Sequence, residues 1–159
     1  MKKNALQALL ITVIGALFLT ACASAPIVDW NLSITGDVAS PITVSYKELS
    51  KMLQTDLKDI LMDKSIGEDE VGSWSGVLVA DLLQQAGAPD DFVSVTAVAG
   101  DGYAIEITRD ELQNAIIALK QEGEWIQKSD PEHGPIRMVC PQTPANRWVF
   151  QLLEIQVNQ

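Results

Sequence analysis

Between Lys3 and Asp29 the chain carries no charged side chain, and this break in polarity separates a segment that leaves water from a segment that folds in it. Lys2 and Lys3 give a positive start, Ala8 to Leu19 is apolar apart from Thr12 and Gly15, and Thr20-Ala21-Cys22-Ala23-Ser24-Ala25 is a run of small side chains. A basic start, a short apolar middle and a small-residue end are the three parts of an export signal. The rival reading is an uncleaved anchor, because a spanning helix needs about 20 apolar residues and the uncharged stretch is long enough on paper. Its apolar centre is shorter than that, and beyond Leu19 the side chains suit a peptidase better than lipid tails. The expected signal peptide is residues 1–21, which leaves 138 of the 159 residues, a normal length for one domain able to bury a core.

Leu19-Thr20-Ala21-Cys22 resembles the lipobox of bacterial lipoproteins, in which the cysteine thiol receives a diacylglycerol and becomes the new N-terminus. A thiol is the strongest nucleophile available for that step, and each methylene buried in the bilayer contributes about 0.8 kcal/mol to anchoring. The expected arrangement is therefore lipid attachment at Cys22, a short tether over residues 22–29, and a domain over residues 30–159 held at a membrane surface. A plain secretory signal or a signal anchor is the alternative. Ala23 and Ser24 follow the cysteine and neither is acidic, which in lipoproteins of double-membraned bacteria goes with the outer membrane, facing the periplasm. Loss of Lys2 and Lys3 leaves nine basic residues against 21 acids, a net charge of −12 with the histidine neutral. That argues against nucleic acid or an anionic bilayer surface as partner, since both call for neutralising basic groups. With Cys22 lipidated, Cys140 has no cysteine to pair with. Alternation through Ile136-Arg137-Met138-Val139-Cys140 places it on the same face as Ile136 and Met138, as a core cysteine rather than a reactive one.

Along the remaining chain, Trp30, Leu32 and Ile34 alternate with polar residues as a half-buried strand, and Ile42-Thr43-Val44 is a short β-branched second one. Ser45 and Glu48 have capping-box spacing, with Leu49, Met52 and Leu53 on one helical face. Leu57 to Met62 is a strand or a helix tail, and period does not decide between them. Gly67 to Ser73 is a polar loop, and Leu78, Leu82, Leu83 and Ala86 form a helical stripe that Gly87 and Pro89 stop. Phe92 to Val98 and Tyr103 to Ile107 flank Gly100-Asp101-Gly102 as a hairpin. Thr108 and Glu111 repeat the capping-box spacing and start a short helix through Leu112, and Ile116 to Leu119 is an apolar run with strand character. Gly123-Glu124 and Ser129 to Pro135 are loops, and Ile136 to Cys140 is a strand. Arg147 to Leu152 is one or two helical turns, before a last strand in which Leu153, Ile155 and Val157 alternate. The class is α+β with a mixed sheet or barrel-like core.

Four of these segments in order, Trp30 to Gly36, Trp74-Ser75-Gly76-Val77 to Leu83, Gly100-Asp101-Gly102-Tyr103 and Gly134-Pro135-Ile136-Arg137-Met138-Val139-Cys140-Pro141, resemble the landmarks of the oxidoreductase molybdopterin-binding domain, the sulfite-oxidase fold. The resemblance runs from Trp30 to Val157. It implies a compact mixed-sheet α+β fold and, in the family's enzymes, a molybdenum–pterin cofactor whose metal is held by one cysteine at the end of the strand before the tryptophan–glycine landmark. Here the corresponding stretch, Ile60 to Ser73, has no cysteine, and Lys64 or Ser65 takes its place. Neither an amine nor a hydroxyl is equivalent to the soft thiolate such a centre uses. The loop expected to hold the pterin phosphate, Pro141 to Arg147, offers Arg147 as a basic group, but Phe150 stands where a second is expected and Pro144 removes a backbone donor.

The other candidates are weaker. His133 is the sole histidine, so a catalytic triad would have to be assembled on a loop. Glu68-Asp69-Glu70 and Asp90-Asp91 lack the spacing of a calcium loop and read as solvated acidic loops. Two of the three arginines, Arg137 and Arg147, stand beside the expected pocket. Their planar forks are candidate contacts for a small anionic ligand, with a structural ion pair as the competing role. Trp30, Trp74, Trp125 and Trp148 are core aromatics, with Trp74 or Trp125 as a possible groove wall. The expected function is a lipid-anchored envelope module, non-catalytic and free of cofactor and metal, that binds a ligand or an envelope protein. The alternatives are a molybdopterin-dependent oxidoreductase with atypical ligation at Cys140 or Ser65, and an accessory subunit of an envelope redox complex.

Overall fold

The computed structural model describes residues 24–159, so the expected signal peptide and the expected lipid attachment at Cys22 lie outside the described residues. The chain is seated on the domain from its first described residues, with Ala25 and Val28 packed against the core. β1 (Asn31–Gly36) buries Leu32 and Ile34 and turns the residues between them outward, as its alternation predicts. Trp30 stands just before it, half-buried, its indole N–H donating to the Leu152 carbonyl at 2.8 Å. β2 (Ile42–Ser45) pairs antiparallel to β1.

Ser45 then caps α1 (Tyr46–Leu49), and both halves of the capping box form. The Ser45 hydroxyl accepts from the Glu48 amide at 3.3 Å, and the Glu48 carboxylate accepts from the Ser45 amide at 2.8 Å. The helix stops there, and Leu53, expected on the same face as Leu49, is 80% exposed. The Gln54 side chain donates to the carbonyls of Leu49 and Met52, satisfying acceptors that a further helical turn would otherwise have used.

β3 (Thr55–Met62) and β4 (Glu70–Leu78) make a long hairpin, which settles Leu57 to Met62 as strand. Asp59 has φ 53° and the register shifts between Leu57 and Ile60, a bulge that hides the strand period in the sequence. The expected loop from Gly67 to Ser73 is overturned at Glu70, where cross-strand pairing with Met62 begins and gives the backbone its hydrogen bonds. α2 (Val79–Ala86) buries Leu82, Leu83 and Ala86 as its stripe predicts, and Gly87 ends it at φ 71° in the left-handed region that favours glycine. Leu78 is the residue before the helix rather than part of it.

β5 (Ser94–Ala99) and β6 (Ala104–Thr108) pair as the expected hairpin. The capping-box hydrogen bonds between Thr108 and Glu111 also form, yet residues 109–114 are turns and not the expected helix. Asn114 enters the left-handed region at φ 59° and the Ala115 amide closes back on Leu112, so the chain reverses within one turn. β7 (Ile116–Gln121) is next, followed by β8 (Glu124–Trp125), α3 (Ile126–Ser129) and β9 (Arg137–Val139). Of the helix expected from Arg147 to Leu152 there remains a 3-10 turn at Ala145–Arg147, and then β10 (Val149–Phe150). In β11 (Leu152–Asn158) a register shift between Leu152 and Glu154 puts Leu152 in the core and leaves Leu153 39% exposed. The expected alternation therefore holds only for Ile155 and Val157.

Among the described residues these strands form two sheets, β2-β1-β11-β5-β6 and β10-β9-β7-β4-β3, with β8 on β7. Only the β1–β11 pair in the first sheet is parallel. With three short helices this is a mixed-sheet α+β fold. Both sheets and α2 contribute to one hydrophobic cluster. β7 lies between β4 and β9 with Ile116 to Leu119 all buried, the unbroken apolar run expected of a strand covered on both faces.

Gly76 explains the small residue in the Trp74-Ser75-Gly76-Val77 landmark. A Cβ there would lie 2.0 Å from the Ile117 carbonyl oxygen and 2.6 Å from the Ala118 Cα, both backbone atoms of the neighbouring strand. Gly76→Ala is expected to cost at least about 1–3 kcal/mol, the range for overpacking a core, measured by urea denaturation. An unchanged midpoint would contradict this close approach.

Candidate cofactor site and pockets

Trp74 of β4 is fully buried and meets the Trp148 ring edge-on, centroids 5.1 Å apart. The Trp148 indole N–H donates to the Cys140 carbonyl at 2.9 Å, and Thr143 donates to the same oxygen through its amide and its hydroxyl. The loop after β9 is thereby folded back on itself. Its Ala145 amide donates to the Asp63 carbonyl at 2.9 Å. The two segments that the resemblance assigns to the metal ligand and to the phosphate are therefore side by side, although about 80 residues separate them in the chain.

The chemistry of that junction is hard and acidic. The turn between β3 and β4 offers Asp63, Lys64, Ser65, Glu68 and Asp69. Lys64 is committed to Glu70 at 2.6 Å, and its amide to Asp69 at 3.0 Å. The one thiol among the described residues, Cys140, has no exposed surface. Burial, with a smaller push from Glu111 and against the pull of Arg147, raises its pKa to about 12. A thiol in that state is neither nucleophile nor ligand. A metal–pterin group held through a thiolate does not fit these residues.

Both candidate arginines sit in ion pairs. Arg137 is 4% exposed, donates to Asp130 at 3.2 Å and to Gln121 at 3.3 Å, and is roofed by the Phe150 ring 4.1 Å from its guanidinium carbon. Phe150, at the place expected for a second basic residue, thus covers the first arginine. Burial lowers the Arg137 pKa and Asp130 opposes that. Asp130 is itself held low: burial would raise it, but hydrogen bonds and charge from His133, with the Arg137 charge, prevail. His133 Nδ1 lies 2.9 Å from this carboxylate, so the histidine belongs to the same cluster. Arg147 donates to Glu111 at 3.0 Å and to the Glu106 carbonyl at 2.9 Å. Glu111 is lowered first by the Thr108 amide, against its own burial, and then by the Thr108 hydroxyl and Arg147. Neither Trp74 nor Trp125 walls a groove: they are 1% and 6% exposed, in the core with Trp148. Among the described residues no cluster of three or more histidine, cysteine and carboxylate side chains is arranged to hold a metal.

Concave space borders this junction and also lies away from it. A pocket of about 260 Å³ opens between Asp101 and Tyr103 of the β5–β6 turn and Trp148 and Phe150. A larger one of about 450 Å³ lies between α2, the loop that follows it and the turn at 109–114. Its cation is Arg109, which sequence reasoning passed over. The available signal was that it is the only arginine outside the segment from Arg137 to Arg147.

With the geometry in hand, the class is clear: residues 21–159 match the sequence model of the oxidoreductase molybdopterin binding domain, and the chain belongs to that family. It is 25% identical over 115 residues to the uncharacterized oxidoreductase YuiH of Bacillus subtilis (strain 168), which covers 70% of this chain and 57% of that protein. The chain thus spans little more than half the length of that relative. Among solved structures it resembles the sulfane dehydrogenase SoxCD from Paracoccus pantotrophus, with a TM-score of 0.69 and 19% identity over 86% of this chain and 40% of that one. That likeness is one of fold, and the family's mixed α+β architecture is the one described above.

The buried thiol supplies a test. Cys140 should resist a thiol-specific reagent in the native protein and react fully once it is unfolded in urea. Tyr46, with no exposed surface, is also raised by burial, from 10.0 to about 12, and Cys140 starts from 9.0. Both groups favour the folded state while neutral, so their contribution is whole below pH 9 and is lost as pH rises towards about 12. Urea midpoints should fall between about pH 8 and about pH 11. Rapid native labelling at Cys140, or a flat alkaline profile, would contradict the burial described.

Proposed function

We propose that this protein is a lipid-anchored envelope member of the family that works without a metal–pterin group, as a module binding a ligand or a protein. The observation that carries the reading is the donor set: no sulfur in the turn between β3 and β4, and the remaining thiol enclosed with a pKa of about 12. Function resides in the site and not in the fold, and here Phe150 stacks on Arg137, the Trp148 indole donates to the Cys140 carbonyl and Glu111 pairs with Arg147. The rival reading, an oxidoreductase with molybdenum held at Ser65 or Cys140, has to form a soft-metal bond with an exposed hydroxyl or a sealed thiol.

An accessory role in an envelope redox complex has an observation of its own. Leu61 and Val71 are cross-strand partners, 56% and 63% exposed, and Ile66 at the same hairpin's tip is 89% exposed. Exposed apolar clusters of this kind mark interaction surfaces. That role is compatible with a silent cofactor site.

The test is elemental. Protein matured in a host that makes the cofactor should carry molybdenum far below one atom per chain, with no pterin fluorescence after denaturation. Stoichiometric molybdenum would overturn the proposal. Separately, mass spectrometry of the mature N-terminus should find a diacylated Cys22, and Cys22→Ala should release the domain from membranes. An unmodified Cys22 in membrane-free protein would remove the anchor from the reading.

A further inference from the structure

The pocket beside α2 holds the one arginine among the described residues that has no carboxylate partner. Arg137 and Arg147 each have a carboxylate partner within about 3 Å. Arg109 has no side-chain hydrogen bond or ion pair among the described residues, although the chain is acidic, and its guanidinium stands 5.8 Å over the Phe92 ring. Asp81 in the first turn of α2 and Asp90 in the loop beyond line the same pocket, and neither is paired among the described residues. The cation is supplied by the turn after β6 and the carboxylates by α2 and its following loop, so the two signs come from different walls. Between them Leu83 and Leu112, at 5% and 8% exposure, and half-buried Phe92 supply apolar surface, beside the amides of Gln84, Gln113 and Asn114. The volume, about 450 Å³, lies in the range of small-molecule sites, where an apolar floor and a few polar groups fix orientation.

We propose that this pocket binds a small zwitterion with an apolar side chain, of the α-amino-acid type, its carboxylate on Arg109, its ammonium on Asp81 or Asp90, and its side chain against Leu83, Phe92 and Leu112. A simple anion would leave both carboxylates facing it unpaired, and a simple cation would do the same to Arg109. Only a ligand carrying both charges satisfies both walls. The site is separate from the junction of the β3–β4 turn with the loop after β9, so its occupancy does not depend on whether a cofactor is bound there.

Three probes sharing one ring isolate the charges: L-phenylalanine, phenylacetate and phenethylamine, titrated into the 15N-labelled domain and followed by amide shifts. L-Phenylalanine should shift amides of α2, Phe92 and residues 109–114, and bind roughly two- to fivefold more tightly than either singly charged probe, the contribution of one exposed ion pair. Arg109→Gln should bring L-phenylalanine down to the level of phenethylamine without changing the thermal midpoint, and the double variant Asp81→Asn, Asp90→Asn should bring it down to that of phenylacetate. Equal binding of all three probes, shifts confined to other surfaces, no shifts at the solubility limit of the probes, or an Arg109→Gln variant that keeps the preference would each overturn the proposal.

Discussion

β11 lies in the middle of the first sheet, parallel to β1 on one side and antiparallel to β5 on the other, with Ile34 opposite Ile155 and Ala97 opposite Ile155 across the ladder. The earliest and latest strands of the described chain are therefore neighbours, and the β1–β2 pair joins the rest of that sheet through a pairing that closes more than 100 residues of intervening chain. Loop closure on that scale costs entropy before any contact offsets it. The cost is met where Leu32, Ile34, Ile155 and Val157 join the cluster that also holds β7 and α2. The second sheet, built largely from hairpins and near neighbours, supplies the surface on which the first completes itself.

Electrostatics follow from that scaffold. An acidic chain with three arginines has many ways to neutralise a guanidinium, and the fold uses two of them next to the loop after β9. Arg137 is buried in β9 because that strand is covered on both faces. Its charge then requires Asp130, and Asp130 in turn holds His133. What looks in the sequence like a basic approach to an anion is, in three dimensions, an ion-paired cluster with Arg137 under an aromatic ring and Asp130 and His133 open to solvent, the Arg137 Nε lacking a partner among the described residues. Desolvation sets this outcome, since a buried cation is tolerable only when paired and hydrogen-bonded.

Much of the fold could be read from local pattern. β1, β5 and β6 each have one buried face, so their alternation survives in the sequence, and Gly87 ends α2 because a left-handed residue is needed there. Both capping boxes form their hydrogen bonds, but such a box stabilises a first turn and says nothing about a second. Leu53 and Leu112 therefore lie outside any helix although the spacing predicts them within one. In β3 and β11 a bulge at Asp59 and another after Leu152 shift the period by one residue, and β4 opens with exposed Glu70 and Val71 beside a glycine, which read locally as loop. The burial of Cys140 was legible from its neighbours. The ion pairs of Arg137 and Arg147 were legible only as one of two roles, since Asp130 and Glu111 reach them through folding. The pocket around Arg109 was not legible at all: its walls come from segments brought together where α2 packs against β1 and β4, and no local spacing encodes it.

The seating of Ala25 and Val28 on the core bears on posture at a membrane. With Cys22 acylated as proposed, three residues, a reach of at most about 10 Å, would separate the lipid from the first residue fixed to the domain. So short a leash leaves little freedom to tumble, and the body would ride close to the headgroups with a restricted set of orientations. Which side of the molecule meets passing solutes would then be decided by where the chain enters the fold, before any partner is encountered.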